Sequence, residues 1–219
     1  MNLRALFLCL IAVPVIAGCR QVKTTPSTII TTQKNTTAME NNRDTITLGG
    51  GCYWCMEAVF QQLNGVVQVV SGFSGGQVEN PTYKEVCTGL TGHAEVVQIE
   101  FDSSKITLLE ILKVFFTMHD PTTLNRQGND VGTQYRSVVF YRNETQKDKI
   151  QTLIKALNDA NVYPSAIVTQ VEPFTKFYKA EDYHQNYYND NKEQGYCRFV
   201  IQPKIKKLEN VFKNLLKQQ

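Results

Sequence analysis

Three consecutive glycines, Gly49, Gly50 and Gly51, run directly into Cys52-Tyr53-Trp54-Cys55. An apolar run, Thr45 to Leu48, precedes them, and Cys55/Met56, Val59 and Leu63 follow on one helical stripe. The stretch therefore reads as strand, tight turn and helix, with Cys52 in register at the helix start. Glycine permits the turn and a close approach of the backbone to a ligand. Free N–H groups and the positive end of the helix dipole favour negative charge there. A thiol at that point is expected to have a lowered pKa and to be a thiolate at neutral pH. Two meanings fit the local pattern: a redox or nucleophilic cysteine, or two small thiols buried at a helix start.

The rest of the chain supplies one domain's worth of sequence. The spacing predicts strand 45–49, helix 53–64, strand 66–74, strand 93–101, helix 107–118, strand 136–142, helix 144–160 and strand 166–172. Thr107 with Glu110 forms a capping box ahead of Leu109, Leu112 and Phe116. Asn143 caps the next helix, whose stripe is Ile150, Leu153, Ile154 and Leu157. The β-α-β-β-α-β order is that of the ferredoxin-like unit, so the expected class is α+β. The sheet should be mostly antiparallel with helices packed on it. A last helix, 203–217, carries Ile205, Leu208, Phe212 and Leu215, with its lysines read as a solvated face.

The amino-terminal part reads differently. Arg4 and the apolar run Leu6 to Ile16 make a signal peptide, 1–18, too short to span a bilayer as a mature helix. Ala17-Gly18-Cys19 resembles a bacterial lipobox, which implies cleavage before Cys19 and its acylation, an ordinary cleaved signal or a short hydrophobic anchor being the alternative. Residues 19–44 are rich in Thr, Asn, Gln and Ser and are expected to be a flexible tether. The domain would then span 45–219, exported and held at a membrane on the periplasmic or cell-surface side. A net charge of +3, spread along the chain, gives no case for nucleic acid. Of six cysteines, Cys52, Cys55, Cys87 and Cys197 fall in the domain. Cys87 reads as a small buried residue.

Strand 93–101 holds an unusual carboxylate. Alternation puts Glu95 on the face of Val97, Ile99 and Phe101, opposite Ala94, Val96 and Gln98. Burial among apolar side chains should raise its pKa, and a carboxyl neutral near pH 7 suits a general acid. A strand-end glutamate reaching solvent or an arginine is the equal alternative. Two loops, around 80–89 and 119–137, are dense in polar and aromatic residues, and long loops in compact domains often carry function.

Together these segments resemble one family. Gly-Cys-Tyr-Trp-Cys, Ser71-Gly72-Phe73-Ser74-Gly75-Gly76, Tyr83 with Val86-Cys87-Thr88-Gly89, and His93-Ala94-Glu95 are similar to the A-type peptide methionine sulfoxide reductases. So are Gly128-Asn129-Asp130 with Tyr135-Arg136-Ser137, Asp182-Tyr183-His184-Gln185, and Tyr196-Cys197 with Val200-Ile201 and Pro203-Lys204. The likeness covers about 44–212 and departs from the family at Tyr53, where Phe is usual. It implies that Cys52 attacks the sulfur of a methionine S-sulfoxide, free or in a peptide. Glu95 would protonate the leaving oxygen, with Tyr83 and Tyr135 as hydrogen-bond donors and Asp130 ordering the loop or a water. Tyr53 and Trp54 would receive the substrate methyl. The sulfenic acid on Cys52 would condense with Cys197, or with Cys55 as rival, to a disulfide. The resemblance implies no bound cofactor: a thioredoxin-like dithiol would reduce that disulfide, oxidised proteins would be the substrates, and the enzyme would act as a monomer.

Other chemistries leave residues idle. A thioredoxin-like oxidoreductase built on Cys52 and Cys55 gives Glu95, Tyr83 and Tyr135 no task. A zinc site of Cys52, Cys55, Cys197 and His184 lacks a second close ligand pair. A lipoprotein that only binds would not need Cys52. Neither G-x-G-x-x-G nor G-K-[ST] is present, which excludes the common phosphate loops.

Overall fold

The structure is a computed structural model and describes residues 42–218. The expected signal 1–18, Cys19 and the tether up to residue 41 lie outside the described residues. The order is β1 (Arg43–Gly50), α1 (Tyr53–Phe60), β2 (Val66–Ser74), α2 (Tyr83–Val86), β3 (Ala94–Asp102) and α3 (Leu108–Met118). Then come β4 (Arg126–Gln127), β5 (Asp130–Val131), β6 (Ser137–Tyr141), α4 (Glu144–Asp159), β7 (Gln170–Pro173) and β8 (Phe177–Lys179). The short α5 (Tyr187–Asp190) and α6 (Gln202–Val211) close the chain, with a π-helical turn, Cys197–Ile201, leading into α6.

The main sheet runs β7-β6-β1-β3-β2-β8. Its central four strands, β6-β1-β3-β2, pair antiparallel throughout, as a β-α-β-β-α-β unit requires. The expected α+β class is therefore what the chain adopts. Strand β7 is the exception to the antiparallel pattern, joining β6 in parallel through α4.

Alternation decides which face is which. Ile46 and Leu48 of β1 sit opposite Ile99 and Val97 of β3, and all four are fully buried against α1 and α3. On the other face Ala94, Val96, Val138 and Phe140 form a smaller cluster under Phe174 and Phe177. Thr107 and Glu110 make the expected capping box at α3, and the Asn143 side chain accepts the Gln146 N–H at α4.

Three boundaries differ from the sequence reading. Helix 53–64 ends at Phe60. Strand 166–172 shrinks to Gln170–Pro173, the part that finds β6 as a partner. The last helix ends at Val211, and Leu216 returns to bridge Leu63. The lysines of α6 are not all solvated. Lys204 Nζ donates to Met118 O at 2.7 Å and Lys207 Nζ to Thr117 O at 2.6 Å. They satisfy carbonyls left open at the C-terminus of α3, where positive charge is favoured.

Candidate active site

The glycine turn places Cys52 at the carboxyl end of β1 and the N-cap of α1. Gly51 has φ +90°, and a Cβ there would lie 2.6 Å from Gln127 Cγ. Only glycine suits such a position without strain. A Cβ on Gly49 would meet Val138 Cγ1 at 2.9 Å and Glu95 O at 3.0 Å. The backbone of β1 thus passes close against the strand that carries Glu95.

Glu95 is 2 % exposed, on the α1 side of β3 as alternation required. Its Oε2 accepts the Tyr53 N–H at 3.1 Å, the first free amide of α1. Two effects oppose each other here. A hydrogen bond to a charged group contributes about 1.5–3 kcal/mol in favour of the carboxylate. Full burial can raise a carboxyl by about 3–5 pKa units, several kcal/mol against it. Burial wins, and the Glu95 carboxyl is pushed up to about 8.

The same balance corrects the expectation for Cys52. Its thiol is pushed well above the usual range by burial first, with Cys55 and Glu95 adding to the shift. The side chain is 8 % exposed, and the leading α1 amide is already given to Glu95. Desolvation of the thiolate therefore outweighs the helix terminus, and Cys52 rests as a thiol.

A pocket of about 190 Å³ gathers Cys52, Tyr53, Trp54, Tyr83, Glu95, Asp130, Tyr135 and Tyr196. Of the residues expected at the site within the domain, all but Cys197 line it. Tyr83 begins α2, whose Thr82–Glu85 capping box the sequence reading passed over. Tyr135 ends a 3-10 turn behind the β4–β5 hairpin, which carries Asp130. Burial pushes the Tyr53, Tyr83 and Tyr135 hydroxyls up, so all three stay protonated donors. Trp54 is clamped from two sides: its ring stacks on Tyr187 at 3.7 Å, and its Nε1–H donates to His184 Nδ1 at 3.2 Å. His184 acts as a hydrogen-bonding residue. Among the described residues no three His, Cys, Asp or Glu side chains are arranged to hold a metal ion.

A second recess of about 290 Å³ reaches Cys52 and Cys55 from the side of Gln127, Phe199 and Lys204. Asp130 and Tyr196 border both spaces. Tyr196 Oη donates to Asp130 Oδ2 at 2.8 Å and lies 3.7 Å from Cys55 Sγ. The sequence reading missed Tyr196, although an aromatic beside a candidate resolving cysteine was a usable signal. The sequence placed no regular element at Cys197. Cys197 is instead 0 % exposed in the core, held in the π-helical turn. Cys87, expected buried, is exposed at the end of α2.

The family model for peptide methionine sulfoxide reductase matches residues 44–216. A peptide methionine sulfoxide reductase MsrA of Acinetobacter baumannii (strain SDF) is 56 % identical over 171 residues, 78 % of this chain and 97 % of that protein. One from Saccharolobus solfataricus is 54 % identical, covering 78 % of this chain and 96 % of its own. Among solved structures, Mxr1 of Saccharomyces cerevisiae in reduced form is similar with TM-score 0.65 at 34 % identity, over 71 % of this chain and 89 % of that one. Methionine sulfoxide reductase A of Corynebacterium diphtheriae gives 0.62 at 36 %, over 70 % and 77 %. With these relatives, the buried acid and the helix-start cysteine of this fold belong to a thiol-dependent oxidoreductase. The chain belongs to the peptide methionine sulfoxide reductase family, and reduction of methionine sulfoxide is its activity.

Proposed function

We propose that Cys52 and Glu95 carry out the reduction of the S epimer of methionine sulfoxide, free or in proteins. The observation that carries this is their meeting in one pocket, with Glu95 neutral to about pH 8. Cys52 Sγ attacks the substrate sulfur while Glu95 gives its proton to the sulfoxide oxygen. Tyr83 and Tyr135 donate to that oxygen as charge develops. The substrate leaves as the thioether, reduced by two electrons, and Cys52 keeps the oxygen as a sulfenic acid. The proton lost by the Cys52 thiol replaces the one Glu95 gave, so the step balances. Tyr53 and Trp54 wall the methyl group, and Asp130 orders the loop against Tyr196.

The cycle then closes through a second thiol. Cys197 attacks the Cys52 sulfenic sulfur, water leaves, and a thioredoxin-like dithiol reduces the disulfide. Cys55 is a second reading, favoured by its place beside Cys52 on a recess that Cys197 does not line. The lipobox-like segment supports export and anchoring through Cys19, hence repair of oxidised exported proteins by a membrane-tethered monomer. The test is turnover of methionine sulfoxide with dithiothreitol, followed by peptide mapping after one equivalent of substrate. Cys52→Ser should abolish methionine formation, and wild type should yield a Cys52–Cys197 disulfide. Normal turnover by Cys52→Ser, or a Cys52–Cys55 disulfide in wild type, would overturn the respective assignment.

A further inference from the structure

Tyr196 stands where the two recesses meet, directly before Cys197 in the chain. Its hydroxyl is a single donor and is given to Asp130 Oδ2 at 2.8 Å, on the β4–β5 hairpin. The same oxygen lies 3.7 Å from Cys55 Sγ, and the ring meets Trp54 edge-on at 6.0 Å. The next residue starts the π-helical turn Cys197–Ile201, in which Cys197 is wholly buried. A π turn is rare and is found frequently at functional sites. Tyr196, fixed to Asp130, is the residue directly before that turn, so one peptide bond links the anchored ring to Cys197.

We propose that Tyr196 is a positioning residue that latches Cys197 in the core while Cys52 is reduced. This rests on the reading above, in which Cys197 is the resolving thiol. The bond to Asp130 has two consequences of opposite sign. It holds the Asp130 carboxylate against the substrate pocket, which favours attack on the sulfoxide. It also holds the π turn closed, which keeps Cys197 from Cys52 and slows resolution. The reduced enzyme therefore keeps its nucleophile free for substrate. Resolution requires the latch to open: the Tyr196–Asp130 bond breaks, the turn unwinds, and Cys197 Sγ reaches the Cys52 sulfenic sulfur. No electron moves in the opening itself. In the bond-forming step the Cys197 thiol is oxidised and the Cys52 sulfenic acid reduced: the S–S bond forms as the S–O bond breaks, and the hydroxyl leaves as water with the thiol's proton.

The variant is Tyr196→Phe in the full chain, which keeps the ring and removes only the donor. A hydrogen bond to a charged acceptor sets the scale of the change at about tenfold or more. The first measurement uses the reduced protein without substrate and follows alkylation of Cys197 by an uncharged thiol reagent. Labelling through local opening should rise about tenfold in the variant, while the exposed Cys87 labels at the wild-type rate. The second is a rapid-mixing single turnover. Methionine should form more slowly in the variant, and the disulfide should form faster relative to methionine. A site merely loosened by the substitution would slow both steps together. Unchanged Cys197 labelling, or both steps slowed in proportion, would overturn the latch. The alkylation measurement does not depend on which thiol resolves. A Cys52–Cys55 disulfide in mapping would therefore remove the resolving assignment while faster Cys197 labelling still supported the latch.

Discussion

Two residues at this site carry protonation states that their types alone do not indicate. Glu95 is neutral because β3 turns it toward the apolar side of the sheet, and one backbone amide cannot offset its burial. Its carboxyl is held above its unfolded value, so deprotonation is resisted in the native state. The contribution to stability is then fully present below the ordinary glutamate range and is lost as pH rises through about 8. The reductive step should fall over the same upper limb, as the acid loses its proton. Glu95→Gln should slow that step by about a hundredfold or more, with no alkaline limb from this group and with a flatter dependence of stability on pH. Single-turnover rates and denaturant midpoints between pH 5 and pH 9 check both, and a Gln variant keeping the wild-type limb would remove Glu95 as the acid.

Short elements do much of the positioning. Helix α2 has four residues and would not persist alone, since isolated helices of that length are unstable in water. It stands on the reciprocal bonds of Thr82 and Glu85, and on the Tyr83 N–H that donates to Glu181 Oε1 at 3.0 Å. Thr82→Ala should cost about 1 kcal/mol, a fall of about 2–4 °C in Tm for a domain of this size. Because Tyr83 is the first residue of that helix, methionine formation should slow several-fold. Thermal melts and single-turnover rates measure the two effects. A lowered Tm with an unaltered rate would show that the Tyr83 hydroxyl is not held by this cap. The hairpin β4–β5 works in the same way, with two residues a side presenting Asp130 to Tyr196.

At the scale of the whole molecule, the catalytic domain and the segment before it follow different physics. Among the described residues no helix is long and apolar enough to cross a membrane. Attachment in our proposal therefore depends on acylation of Cys19, because the segment after it is polar. Cys19→Ser should release the protein into the soluble fraction with its reductase activity intact. Fractionation that still finds the variant at the membrane after signal removal would dismiss the lipobox reading.

How much was legible beforehand follows from the range of the forces involved. Periodicity is local, so the strand carrying Glu95, the capping box of α3 and the order of the ferredoxin-like unit could be read directly from Ala94–Phe101, Thr107–Glu110 and their neighbours. The motif around Cys52 likewise announced a strand, a glycine turn and a helix. The tertiary structure alone decided what depends on distant neighbours. It set the resting state of the Cys52 thiol, because burial by other elements outweighs a local helix terminus. It turned Lys204 and Lys207 from a solvated face into caps for α3. It buried Cys197 in a π-helical turn and brought Tyr196 against Asp130, 66 positions away in sequence. Desolvation and long-range hydrogen bonding are properties of the packed chain, and no window of sequence contains them.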